Sequence, residues 1–138
     1  MDAEASKKLK AKIYARPVGG GRLMAILDHV DEFFDSGAFK GCWSLNTIAE
    51  ISQKDKLMMA EILKQKKEMK AFTYHLVLEN LNAKDPDNIA NQLYMIYEAA
   101  LVEAKVFKEK WPIQVAQGMF RKIIEENYLI PQELTLKM

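Results

Sequence analysis

The sequence predicts an all-α fold, a bundle of five to six helices in which the last two long helices form an antiparallel hairpin. Two observations support this prediction. The 138 residues contain only four prolines and six glycines, and three of the glycines are adjacent, so most of the chain is free to run in long helices. Apolar residues recur at helical spacing, and β-branched residues do not collect into the alternating runs typical of strands.

The first predicted helix covers residues 2–14 and is polar. Its only firm apolar positions are Leu9 and Ile13, so it needs a partner element to be stable. Pro17 and the glycines at 19–21 then break the helix. We therefore predict a connecting helix and linker over residues 1–18 and a main domain over 19–138.

The second predicted helix covers residues 22–36, and Gly37 is a suitable stop for it. A short helix is expected over 43–51, and a long one from near Ser52 to about residue 81. The apolar stripe of the second helix consists of Leu23, Ile26, Leu27, Val30, Phe33 and Phe34.

Asp85 and Pro86 are typical of the cap and first residue of a helix, which we place over 86–107. Between residues 93 and 102 its only charged residue is Glu98, so the helix is apolar most of the way round and must be covered on more than one side. A partner subunit would supply that cover. The last helix is expected from Pro112 to about residue 128.

The overall charge argues against a partner that binds by electrostatic attraction. There are 20 basic and 19 acidic side chains and a formal net charge of +1, so no long-range attraction to nucleic acid or membrane is expected.

The single cysteine, Cys42, excludes an internal disulfide. With no signal-peptide pattern and no apolar run of membrane-spanning length, we expect a soluble, cytoplasmic protein.

Catalytic chemistry has little support in the sequence, so we expect no enzyme and no cofactor. There is no nucleophile–base signature, no paired-carboxylate motif and no phosphate-binding glycine loop. His29 and His75 do not belong to a cluster with metal-ligand spacing, so no metal site is expected. The lysines at 64, 66, 67 and 70 are interleaved with Gln65 and Glu68, follow Glu61, and favour a solvated helix face.

A short run and the order of the helices after it resemble a family signature. Gly41-Cys42 leads into Leu45-Asn46, a long helix follows, and Asp85-Pro86 opens the broad apolar helix. This order resembles the C-terminal effector-binding and dimerisation domain of tetracycline-repressor-type (TetR/AcrR) transcription regulators. In that family a helix-turn-helix head reads DNA. The single polar helix over 2–14 does not supply one, so DNA binding would depend on a segment outside this chain.

The resemblance implies a homodimer made by the last two helices and a pocket for a small hydrophobic or aromatic effector. Binding would control the DNA-reading head through the connecting helix. The expected ligand-binding residues are Leu27, Val30, Phe34, Trp43, Asn46, Met59, Ile62, His75 and Tyr97. The expected dimer contacts are Ile89, Leu93, Ile96, Tyr97, Ala100, Ala116, Met119, Phe120 and Ile123.

Each of these assignments has a plainer alternative. Trp43 and the methionines could be ordinary core residues, Asn46 could bond to the backbone of a turn, and Cys42 could be buried and inert. The function has an alternative as well. The chain could be a stand-alone helical dimerisation or interaction protein with no small-molecule ligand. A filled core would favour that alternative, and a closed apolar cavity would favour the sensor.

Overall fold

The computed structural model describes residues 3–36 and 56–127, and within these ranges the regular structure is entirely helical. The all-α prediction is therefore confirmed for the described part of the chain. The predicted short helix over 43–51 and the signature residues Trp43 and Asn46 lie outside it. The five helices are α1 (Ala3–Tyr14), α2 (Gly20–Asp35), α3 (Lys56–Asn80), α4 (Pro86–Phe107) and α5 (Trp111–Glu126).

Helix α2 begins two residues earlier than predicted, because part of the glycine run belongs to the helix. Gly19 has a φ of 138°, a backbone conformation that favours glycine, and it forms the N-cap. Its N–H donates to the side-chain oxygen of Asn80 at 3.0 Å. The Asn80 amide in turn donates to the carbonyl of Leu76 at 2.9 Å. This fully buried asparagine fixes the start of α2 against the end of α3.

The start of α4 agrees with the sequence prediction. The side chain of Asp85 accepts a hydrogen bond from the backbone N–H of Asn88 at 3.1 Å, and Pro86 occupies the first turn, where its missing N–H costs nothing. At the other end, Lys108 has a φ of 55° and ends the helix in the left-handed conformation. The chain therefore turns sharply into α5.

Helices α4 and α5 form the predicted antiparallel hairpin. Only residues 108–110 separate them. The backbone N–H of Asn82, just ahead of α4, donates to the carbonyl of Asn127, just after α5, at 2.8 Å. This bond closes the open end of the hairpin.

A single apolar core joins the helices. Helix α3 packs against α4, α4 against α5, and α2 against α1 and α5. Leu9 and Ile13 of α1 are both buried, which agrees with their identification as its two firm apolar positions. The other large core side chains include Leu23, Ile26, Leu27, Leu76, Val77, Leu93, Ile113 and Phe120.

The acidic flank of α2 is held by polar side chains from three places in the chain. Lys12 of α1 pairs with Glu32. Arg16 donates to Asp28 at 2.8 Å, and Gln117 of α5 donates to the other oxygen of that carboxylate at 3.1 Å. Asp28 therefore connects the α1–α2 junction to α5.

Candidate interaction surface on the helical hairpin

Helix α4 has two apolar seams on opposite sides, and only one of them is buried. The inner seam is fully covered by the chain itself and consists of Ala90, Leu93, Tyr97, Ala100 and Ala104. The outer seam has the same alternating spacing of four and three residues and consists of Met95, Ala99, Val102 and Val106. Met95 is 71% exposed and Val106 is 68% exposed. Spacing of this kind is typical of helices that pack against another helix.

Helix α5 repeats this two-sided arrangement. Its inner seam, Ile113, Ala116, Phe120 and Ile124, is buried. On the opposite side lie Trp111, Val115, Gly118 and Met119, all exposed. Trp111 is 44% exposed, Val115 52% and Met119 48%. Both helices of the hairpin therefore present apolar side chains away from the core.

The two exposed seams form one surface, because α4 and α5 are neighbours and their inner seams enter the same core. We call this surface the outer hairpin face and define it as Met95, Ala99, Val102, Val106, Trp111, Val115, Gly118 and Met119. At the tip of the hairpin the rings of Phe107 and Trp111 pack edge to face, with their centroids 5.0 Å apart.

Exposed apolar residues are concentrated on this hairpin. Of the twelve large apolar side chains that the described residues expose, six lie on α4 and α5. Single exposed apolar residues are normal on soluble proteins, but a contiguous set marks an interaction site. The hairpin is therefore the strongest candidate for a functional surface in the described part of the chain.

Glu98 was the only charged residue in the central part of α4, and the structure gives it a partner. Lys66 of α3 donates to its carboxylate at 3.0 Å, on the flank of α4 that faces α3. The charge therefore lies beside the outer hairpin face and does not interrupt it.

The structure places the nine predicted dimer contacts on two different sides of the hairpin. Five of them are in the core of the chain itself: Leu93, Tyr97, Ala100, Ala116 and Phe120. Ile89, Ile96 and Ile123 are partly buried against that core. Met119 is the one exposed member of the set. The five buried residues are therefore covered by the core of the chain itself.

The predicted ligand-binding residues are only partly brought together. Leu27, Val30 and Tyr97 belong to the main core, and Phe34 packs against it. Ile62 is buried but is not part of that core cluster, and Met59 is partly buried. His75 is exposed, with its ring edge-on to Tyr74 at 5.9 Å.

A concave region occurs elsewhere, on the outer side of α3. It is an open groove of about 480 Å³ lined by Ala60, Leu63, Lys64, Lys67, Glu68 and Ala71. None of the predicted ligand-binding residues lines this groove. Lys64 and Lys67 keep the solvated positions that their sequence pattern predicted.

His29 faces the basic side of α1. Its ring stacks with that of Phe33 at 6.4 Å. Burial, followed by the positive charges of Lys12 and Lys8, lowers the pKa of His29. On the far side of α2, hydrogen bonds to Asp35 and Asp31 raise the pKa of Lys110. His29 and Lys110 therefore lie on different sides of α2 and are not brought together.

Within residues 3–36 and 56–127, no group of three or more His, Cys, Asp or Glu side chains is arranged to hold a metal ion. No helix in these ranges is both long enough and apolar enough to cross a membrane.

Over the described residues the geometry thus defines an all-helical arrangement with one buried apolar core and an exposed apolar hairpin. Comparison of the chain with models of known families, with curated proteins and with solved structures gives no match. The function must therefore be argued from the hairpin itself.

Proposed function

We propose that this chain is a helical dimerisation domain whose two copies pack through the outer hairpin face. The observation that carries the proposal is the second apolar seam on each of two neighbouring helices, which the chain leaves in contact with solvent. Two hairpins joined face to face make a four-helix bundle, in which each exposed seam would face helices of the other copy.

By its flat footprint, the outer hairpin face makes up only part of the area that a stable dimer interface needs. Helix α5 has 16 residues and is about 24 Å long, and two adjacent helices are about 20 Å wide. The flat footprint is thus about 480 Å², and protruding side chains make the accessible area larger. A stable interface needs about 800 Å² of accessible surface from each partner.

The self-complementary character of the face supports a second copy as the partner. In a two-fold dimer the same patch is used by both subunits, so an apolar face meets an apolar face. The face is apolar on both helices, as the contact surfaces of homodimers tend to be. Burial of exposed apolar surface contributes roughly 25 cal/mol per Å² and drives the association.

A matched pair of substitutions tests this proposal. Val115→Glu puts a charge in the centre of the face, whereas Leu78→Glu puts the same charge at a residue of α3 with nearly equal exposure, 50% against 52%. We expect V115E to be a folded monomer and L78E to keep the dimer, as measured by sedimentation equilibrium and circular dichroism. Equal effects of the two variants on mass would contradict the proposed surface.

A second candidate keeps the TetR-type sensor function. The order of helices supports it, as does the seating of α1 on α2 through Lys12–Glu32 and Arg16–Asp28. In this proposal a hydrophobic or aromatic effector binds among α2, α3 and α4, and α1 transmits the change to a DNA-reading segment outside the chain.

The sensor proposal has a separate test. Thermal unfolding of the chain should be measured with a panel of aromatic and aliphatic small molecules. A saturable rise in melting temperature that Tyr97→Ala abolishes would support an effector site. No shift with any compound, together with an intact dimer, would favour the dimerisation domain without a ligand.

A further inference from the structure

Helix α1 is attached to α2 by two ion pairs of the same polarity. Arg16, just after α1, donates to Asp28 at 2.8 Å, and Lys12 pairs with Glu32. The two cations are four residues apart and so are the two carboxylates, in reverse order, so α1 runs antiparallel to α2 with one turn between the pairs. In both pairs the positive charge belongs to the α1 side and the negative charge to α2.

His29 lies on the part of α2 that receives α1. In sequence it stands between Asp28 and Glu32, the two carboxylates that bind the α1 side. It is one turn after the fully buried Ala25 and is itself partly buried, and its ring stacks with that of Phe33 one turn later. A titratable imidazole therefore lies within a contact to which α2 otherwise contributes carboxylates.

The charges that reach His29 from α1 oppose its protonated form. Lys8 and Lys12 are one turn apart on α1, and both are positive. Burial, followed by the charges of Lys12 and Lys8, lowers the pKa of His29. Protonation of the ring therefore adds a third positive charge to a contact that already holds two.

The groups that reach this part of α2 from other directions do not offset that charge. Asp28 is already held by Arg16 and by the neutral side chain of Gln117 from α5, and Glu32 is held by Lys12. Helices α3 and α4 meet α2 at the apolar core. The carboxylates beside His29 are thus engaged in holding α1 and the hairpin.

We propose that His29 is a pH-sensitive latch for α1: protonation of its ring puts a positive charge on the α2 surface that receives the cations of α1, and the repulsion loosens that helix. Because the pKa of His29 is lowered in the docked state, docking is strongest above the ordinary value of about 6.5 and weakens as the pH falls below it. The inference does not depend on dimerisation, since none of these residues belongs to the outer hairpin face.

Hydrogen exchange of the α1 amides measures the latch locally. We expect α1 to be less protected than α4, and its protection factors, corrected for the intrinsic effect of pH, to fall at least about threefold between pH 7.5 and 5.5. The fall should not exceed about tenfold, because a released histidine at pH 5.5 is protonated about ten times more often than not. Equal protection of α1 and α4 at both pH values would overturn the latch, since α1 would then open only with the whole chain.

Two histidine variants assign the pH dependence. His29→Gln cannot take up the proton, so the protection of α1 in H29Q should be nearly the same at the two pH values. His75→Gln changes the exposed histidine of α3 and should keep the wild-type fall. A threefold fall that persists in H29Q would overturn the proposal.

A lysine pair tests the same point if H29Q releases α1 at both pH values. Lys8→Gln removes a positive charge that acts on His29, whereas Lys7→Gln removes one from the adjacent exposed residue of α1. K8Q should raise the pKa of His29 toward its ordinary value and reduce the fall in α1 protection, and K7Q should leave both unchanged. The imidazole signals in NMR spectra report that pKa. The same His29 pKa in K8Q and K7Q would overturn the latch.

Discussion

Leu93 and Met95 lie two residues apart on α4 and face opposite environments. Leu93 is fully buried, whereas Met95 is 71% exposed. Two residues along a helix turn through about 200°, so neighbouring apolar residues of this spacing point to opposite sides. Helix α4 is therefore apolar most of the way round because one apolar seam faces the core and a second faces solvent.

This relationship predicts opposite responses to truncation. Leu93→Ala should lower the free energy of unfolding of the monomer by about 2–5 kcal/mol, because it leaves a cavity in the core. Met95→Ala should change it by less than about 0.5 kcal/mol and should weaken the dimer instead. Urea denaturation at low protein concentration and sedimentation at high concentration measure the two effects separately. A large loss of monomer stability in M95A would contradict the assignment of the seams.

The sequence was sufficient to predict the helices but not which seam of the hairpin faces inward. The all-α class, the α4 bounds and the Asp85–Pro86 start follow from local signals, namely helical spacing and capping residues. The two seams of α4 have the same spacing and similar apolarity, so periodicity does not distinguish them, and the family resemblance implied that Leu93 makes a contact between copies. Tertiary packing decides the matter, since the inner seam meets the core shared with α2 and α3.

The structural role of Asn80 could not be predicted from the sequence, for a different reason. Its role depends on Gly19, which is 61 residues away in the chain, and no local pattern signals such a bond. His75 shows the converse problem: it lies within the Phe72–Leu76 stretch in sequence but is exposed to solvent. Proximity along a helix does not place a side chain on the same face.

Removal of the Asn80 side chain should be costly. Asn80→Ala leaves the partly buried N–H of Gly19 without its acceptor and removes a buried side chain, and we expect a loss of about 1–3 kcal/mol in the free energy of unfolding. Asn82→Ala is the control, because Asn82 is exposed and contributes its backbone N–H, which the variant keeps. Equal stability of the two variants in urea denaturation would contradict a structural role for Asn80.

Lys108 offers a stabilising substitution. It has a φ of 55°, a conformation that glycine adopts without steric cost. Lys108→Gly should therefore raise the free energy of unfolding by about 1 kcal/mol. Lys105→Gly, inside the last turn of α4, should lower it. A destabilised K108G variant in thermal unfolding would show that the lysine side chain contributes more than the backbone conformation costs.

His29 should make stability depend on pH. Burial and the charges of Lys12 and Lys8 lower its pKa in the folded chain, so the unfolded chain takes up a proton first as the pH falls. Stability is therefore full above the unfolded pKa of about 6.5 and declines below it. His29→Gln should flatten this decline in urea midpoints measured between pH 7.5 and 5. His75→Gln keeps His29 and should retain the wild-type slope; a steeper fall in H29Q would contradict the sign.

The mass of the chain in solution tests the central claim most directly. Sedimentation equilibrium or light scattering at micromolar to millimolar concentration should give twice the chain mass of 15.8 kDa, and dilution should shift it toward one chain mass. That result would agree with two hairpins joined through the outer face. A mass of 15.8 kDa at every concentration would contradict the account, because the exposed seams of α4 and α5 would then have no second copy to cover them.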